Sequence, residues 1–236
     1  MDQHLSRVRN RLLAALPPPD FALLAPHLED VNFDQGVVLQ EAGAGIEQVY
    51  FPLNGMISLL AVMRDGSGVE TATIGREGAV GVMAGFGSGR SAGRGVMQVA
   101  GAVSQIAAGR FRTALESSAA LRDLVVRYND VQMALVQQTA GCNALHHVEK
   151  RFCRWLLQTR DRCECDEIPL TQEFLAEMLG VQRTSVTPIA RNLQAAGLIK
   201  YRRGRIEIID REGLESKSCE CYETVRLKNE ETFLTS

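Results

Sequence analysis

Apolar residues come in short alternating runs between positions 31 and 106, and from position 115 onward they recur every three or four residues. The first texture predicts strands and the second helices, because side chains repeat with period 2 on a strand and 3.6 on a helix. Strands are expected at Gly36–Gln40, Val49–Leu53, Ile57–Met63, Val69–Ile74, Val96–Val99 and Val103–Ile106. Turn segments such as Glu41-Ala42-Gly43-Ala44-Gly45 and Asp65-Gly66-Ser67-Gly68 separate them, the pattern of a small antiparallel barrel or roll. Arg76–Gly95 is rich in glycine and lacks periodicity, so it reads as a loop with one helical turn. Before the roll, residues 5–28 carry two short helical patterns divided by Pro17-Pro18-Pro19, with Asp20 placed to cap the second.

The most informative helical stretch is Leu170–Ile209. Thr171 can cap a helix whose buried face is Phe174, Leu175, Met178 and Leu179, and Gly180 can end it in the left-handed conformation. A second amphipathic helix follows, with Val186, Ile189, Ala190 and Leu193 inward and Gly197 at its close. This is the pattern of a helix-turn-helix, in which the second helix enters the major groove of DNA. That helix opens on Arg183, Thr184 and Ser185 and continues through Thr187, residue types that bond base edges and phosphates. Leu198–Tyr201 and Ile206–Ile209 form a hairpin wing, with Arg202, Arg203 and Arg205 beside the backbone. Thr171 and Gln172 are the candidate phosphate contacts of the first helix.

Ahead of this unit a long helix spans about Leu115 to Gly141, and another runs over His146–Thr159 with Phe152, Trp155 and Leu156 inward. In the long helix Leu121, Tyr128, Leu135 and Cys142 repeat every seven residues, interleaved by Leu124 and Val131. A groove reader works on a two-fold site as two copies. Periodicity alone is met equally by a helix lying on its own domain. The need for two copies favours Leu121, Leu124, Tyr128, Val131 and Leu135 as the seam of a parallel homodimer, in which Cys142 could face its symmetry mate.

A net charge of −2 changes this picture only once it is divided along the chain. Residues 150–211 hold 12 Lys/Arg against 8 Asp/Glu, so the surplus of positive charge lies in the predicted DNA-binding part. No apolar run approaches a membrane span and the first residues are too polar for a signal peptide, so the cytoplasm is the expected compartment. The six cysteines all lie beyond position 141 and do not describe a secreted disulfide framework. Cys163-Glu164-Cys165 and Cys219-Glu220-Cys221 are Cys-x-Cys pairs, closer than the usual zinc spacing, and His146 and His147 have no partner at ligand spacing. No metal ligand is assigned on these grounds. No paired carboxylates, nucleophile–base set or phosphate loop with its lysine is found, so an enzyme is the remote alternative.

The order roll, long helix, short helix, helix-turn-helix, wing resembles the Crp/Fnr family of bacterial transcription regulators. The resemblance rests on Val49-Tyr50-Phe51-Pro52-Leu53-Asn54-Gly55 in the roll and on Leu170–Lys200. It implies an α+β chain with a cyclic-nucleotide-binding-like roll over residues 1–114, a dimerisation helix and hinge over 115–144, and a winged helix-turn-helix over 145–236 that ends in an acidic extension. It also implies a homodimer on a palindromic promoter site, a signal received by the roll, and RNA polymerase as partner if the protein activates. Two departures concern the reading helix. Thr184 stands where the family commonly has glutamate, and Pro188 where a second arginine is often found. The expected half-site therefore differs from the family's usual one.

The same resemblance places a possible effector pocket at Gly81, Val82, Arg90, Ser91 and Gln137. Arg90-Ser91-Ala92 matches the phosphate half of a cyclic-nucleotide motif, whereas Val82 occupies the place of the sugar-binding glutamate and offers no acceptor. Tight cyclic AMP binding is not expected. An iron–sulfur cluster is excluded because the N-terminal region and the roll contain no cysteine. The alternative to a roll-controlled regulator is a metal- or thiol-responsive one using Cys142, Cys163, Cys165, Cys219 or Cys221.

Overall fold

The computed structural model describes residues 9–163, 165–202 and 204–234. Arg203, and residues 5–8 of the first helical pattern, lie outside the described residues. The chain opens with α1 (Arg11–Ala14), α2 (Pro18–Phe21) and a 3-10 turn at Ala25–His27. Asp20 does not cap α2. Pro17 holds that position, and Asp20 instead accepts a 2.5 Å bond from Ser118 Oγ.

Seven antiparallel strands build the roll: β1 (Glu29–Phe33), β2 (Val38–Gln40), β3 (Gln48–Pro52), β4 (Met56–Val62), β5 (Gly68–Ile74), β6 (Arg94–Val99) and β7 (Gly101–Ala107). One sheet runs β1-β7-β3 and the other β2-β6-β4-β5. All six strands expected from alternation are present within a few residues. The added β1 is mostly exposed or half-buried, so it lacks the apolar alternation that marked the others. The glycine-rich segment carries a 3-10 turn at Val82–Gly85, as expected.

The expected long helix forms, displaced by about four residues, and a separate helix precedes it. α3 (Ala108–Ser117) stops at Ser118, whose extended backbone and side chain cap α4 (Ala119–Leu145) by accepting from Leu121 N at 2.9 Å. Then come α5 (Val148–Cys163), β8 (Glu167–Pro169), α6 (Gln172–Leu179), α7 (Arg183–Ala195), β9 (Ile199–Arg202) and β10 (Arg205–Ile208). The acidic C-terminal stretch is not a tail. It folds into α8 (Arg211–Lys217) and α9 (Cys221–Glu231), and α9 returns to pack along α4.

That return corrects the expected dimer seam. Leu121, Leu124 and Tyr128 are buried in the chain's own roll core, and Val131 and Leu135 are covered by Val225 of α9. Tyr128 is fixed most firmly: its hydroxyl donates to Ala79 O at 2.8 Å and accepts from Ala79 N at 3.0 Å. The heptad pattern thus marks a buried stripe, but the chain itself covers it. The outward face of α4 carries Val126 and Met133 instead, 50% and 56% exposed.

One apolar core joins the two halves of the molecule. Met56, Leu60, Val96 and Val99 of the roll cluster with Phe152, Trp155 and Leu156 of α5 and with Leu175, Met178 and Leu179 of α6. Against it lies the buried Glu70 of β5, accepting from Trp155 Nε1 at 2.8 Å and from Ser58 Oγ at 2.5 Å. Burial pushes the Glu70 carboxyl up to about 7, opposed by those two hydrogen bonds and by the guanidinium groups of Arg154 and Arg162. Arg162 itself pairs with Glu77 at 2.9 Å, both side chains nearly buried.

Candidate nucleic-acid interface and effector cavity

α6 and α7 meet as the spacing predicted. Thr171 caps α6 by accepting from Phe174 N at 3.2 Å, and Gly180 ends it with φ +61°. A side chain at 180 would be strained in that conformation, and its Cβ would come within 3.0 Å of Val69 Cγ2 on the roll. α7 begins after Gln182, buries Val186, Ala190 and Leu193, and leaves Arg183, Thr184 and Ser185 exposed on its first turn. Pro188 lies inside α7 on the exposed side, and the helix runs through it to Ala195.

Arg183 is not idle in this structure. Its guanidinium is ion-paired with Glu173 of α6. Thr187 donates to Gln172 Oε1 at 2.7 Å, so these two candidates hold each other across the two helices. The wing forms as β9 and β10, with Arg202 paired in register to Arg205, and β8 joins β10 to make a third strand. Gly204 takes φ +79° at the turn. Arg202 and Arg205 are exposed, and Arg205 Nη1 bonds Glu167 Oε1 at 2.6 Å.

In the roll, a cavity of about 530 Å³ is lined by Gly81, Val82, Arg90 and Ser91, with apolar walls from β4, β5 and the 3-10 turn. Four of the five expected pocket residues are therefore together. Gln137 is exposed and outside the lining, where α4 contributes Asn129, Gln132, Met133 and Val136 instead. Arg90 turns its Nη1 to Gly43 O at 2.7 Å, and Ser91 Oγ is held between Gln40 Nε2 and Gly93 O at 2.6 and 2.5 Å. The Arg90-Ser91 pair is thus bonded to the roll's own loops.

Residues 150–217, which run from α5 through the wing into α8, match the family model of the Crp-like helix-turn-helix domain. The chain carries a Crp-like helix-turn-helix domain. The structure as a whole is similar to a transcriptional regulator of the Crp/Fnr family from Eubacterium rectale, at 18% identity over 87% of this chain and 96% of that one, TM-score 0.67. It is similar also to the c-di-GMP responsive global regulator CLP of Xanthomonas campestris, at 17% identity over 81% and 99%, TM-score 0.62. A Crp/Fnr-family regulator from Thermus thermophilus is alike at 20% identity over 80% and 98%, TM-score 0.64. No curated protein sequence matches the chain significantly. At these identities the likeness establishes the fold. The Crp-like domain on that fold makes the chain a DNA-binding transcription regulator.

Where α4 hands over to the Crp-like domain, the fold assembles a cluster that the spacing did not reveal. Cys142 and His146 sit one turn apart at the end of α4, and Cys219 and Cys221 come from the α8–α9 junction. Cys142 does not face outward toward a symmetry mate; it is 1% exposed and lies 3.5 Å, sulfur to sulfur, from Cys219. His146 likewise has the cysteine partner that the sequence reading denied it, with Nδ1 at 3.5 Å from Cys221 Sγ. Hydrogen bonding with Cys142, helped by the nearby Arg154, draws the Cys219 thiol down, and the same pairing raises Cys142. The signal available in the sequence was the Cys142–His146 spacing of four, which places both on one helix face. Cys163 and Cys165, by contrast, are bonded to each other as a disulfide.

Proposed function

We propose that this regulator acts as a homodimer on a two-fold DNA site in the cytoplasm, placing the first turn of α7 in the major groove and the wing along the phosphates. The observation that carries it is the exposed Arg183-Thr184-Ser185 turn, held at a fixed angle by a helix-turn-helix whose back is buried. Arg183 supplies the guanine contact, Thr184, Ser185 and Thr187 the neighbouring bases, and Thr171, Gln172, Arg202, Arg203 and Arg205 the backbone. This is a binding role and not an enzymatic one, with RNA polymerase as partner where it activates.

Thr184 cannot accept from a cytosine amino group with the selectivity of a glutamate. Selection from random DNA by the purified protein is expected to return a palindrome whose half-sites are neither TGTGA nor TTGAT. Arg183→Ala should relax one base position and cost about 1–3 kcal/mol at that position. Recovery of either familiar half-site overturns the expectation of a different site, and an unchanged consensus with Arg183→Ala overturns the assignment of α7 as reader.

The dimer face we favour is the outward stripe of α4, Val126, Met133 and Ala140 at seven-residue spacing with Val136 between them. Its support is the exposure of Val126 and Met133 on the side of α4 opposite the stripe that the chain itself covers. Met133→Glu should convert a dimer to a monomer in sedimentation analysis; an unchanged dimer places the seam elsewhere. Met133 and Val136 also line the roll cavity, so a small effector there would touch the seam directly. Weak or absent binding of cyclic AMP remains the expectation, since Val82 gives the ribose no acceptor.

A further inference from the structure

We infer that Cys142, His146, Cys219 and Cys221 form a closed tetrahedral site for a divalent thiolate-preferring cation, zinc in the first place. The four ligand atoms all lie within 4.8 Å of one another, and two of the six separations are 3.5 Å. Zinc bonds of about 2.3 Å to sulfur and 2.0–2.1 Å to nitrogen, at tetrahedral angles, require separations of about 3.8 Å between sulfurs and about 3.5 Å from sulfur to nitrogen. The cluster is therefore close to the size of the coordination shell, and small side-chain rotations would complete it.

The surroundings point the same way. A ligating histidine gives its other ring nitrogen to a carboxylate, which fixes its tautomer. Here His146 presents Nδ1 to the cysteines while Nε2 lies 3.1 Å from Glu220 Oε1, and Glu220 is the residue between the two ligands Cys219 and Cys221. Gln138 Nε2 donates to Cys221 Sγ at 3.0 Å, a bond that suits a thiolate. Three thiolates and one dication carry a net charge of −1, and two buried guanidinium groups stand by. Arg151 and Arg154 are each 6% exposed, both feel the charge of this cluster, and the Nε of each has no partner among the described residues. All three sulfurs are buried and the site has no open position, so its role is to hold chain segments and not to catalyse. It would clamp the start of α9 to the last turn of α4, next to the α4–α5 link through which the long helix reaches the DNA-binding domain. None of this depends on which DNA sequence the protein reads.

The test uses the full chain, purified under reducing conditions without a polyhistidine tag. Zinc is added, excess is removed by gel filtration, and metal is counted by mass spectrometry. The expected result is one zinc per chain. Cobalt(II) in its place should give the visible ligand-field bands of a tetrahedral thiolate site and a sulfur-to-metal charge-transfer band. Cys219→Ser and Cys221→Ser should abolish both readouts, and Cys163→Ser should leave them intact. Glu220→Gln should weaken zinc by about 10–100-fold while keeping the cobalt spectrum, as loss of an outer-sphere partner does. Should a cysteine variant fail to fold, the wild-type cobalt spectrum and the Glu220→Gln affinity decide alone. The inference is overturned if the reduced wild-type chain retains no stoichiometric metal, if cobalt shows no thiolate bands, or if the cysteine variants bind as the wild type does. A Cys142–Cys219 disulfide in metal-free chain purified with reductant would overturn it as well.

Discussion

Trp155→Ala is expected to destabilise the chain by about 3–5 kcal/mol and to part the DNA-binding domain from the roll. The side chain is 1% exposed and sits in a core to which both halves contribute, Met56, Leu60, Val96 and Val99 on one side and α5 and α6 on the other. Truncation removes the largest side chain of that core and leaves a cavity whose walls belong to two domains, so neither can collapse alone to fill it. It also takes the indole N–H away from the buried Glu70. Trp155→Phe separates the two effects, since it keeps most of the packing and loses the hydrogen bond, at about 1–3 kcal/mol. Denaturant unfolding gives the size. Limited proteolysis should cut Trp155→Ala between the domains under conditions that leave the wild type whole. A Trp155→Ala chain within 1 kcal/mol of wild type (roughly the margin of a surface change) would show that the shared core is not what joins them.

The second expected result concerns pH. The Glu70 carboxyl is raised from an ordinary 4.5 to about 7 by burial. Between those two values the folded chain keeps a proton that the unfolded chain has released. Stability from this group is therefore greatest below about pH 4.5, falls as pH rises through the window, and levels off above about 7. The span corresponds to roughly 3 kcal/mol. Glu70→Gln removes the titration and keeps the shape. Its amide oxygen still accepts from Trp155, and its amide nitrogen can donate to Ser58 Oγ, whose own hydrogen is free to turn to Gln98 Oε1 at 3.3 Å. Unfolding measured from pH 5 to 8 should show a decline in the wild type that is missing in the variant, with Glu70→Gln the more stable of the two at pH 8. Parallel curves would mean that Glu70 does not titrate in that range. Trp155 is the chain's one tryptophan, so its fluorescence follows this interface without a label.

What could be read from the chain in advance divides along a physical line. The helix-turn-helix was legible because its signals are local: a cap at Thr171, a helix stop at Gly180, and two short amphipathic stripes. The roll strands were legible from alternation, except β1, which is too exposed to alternate. Leu121, Leu124, Tyr128, Val131 and Leu135 were correctly marked as buried, but periodicity says that a stripe is covered and not by what. The cover is the roll and α9, and α9 itself was missed because charged residues outnumber its apolar ones. The break between α3 and α4 turns on Ser118, a cap hidden inside a continuous helical pattern. The Cys142–Cys219 approach spans 77 positions and depends wholly on the return of α9, so no spacing rule could disclose it.

The ion pairs of Arg183 and Arg205 bear on how the proposed DNA contacts would be made. Arg183 rests against Glu173 and Arg205 against Glu167. Seen from beyond a Debye length, about 8 Å at physiological salt, each pair is a small dipole and not a positive charge. These arginines do not pull the chain toward a duplex from afar. Each guanidinium stays a cation throughout, but its charge is unmasked only when a guanine or a phosphate replaces the carboxylate beside it.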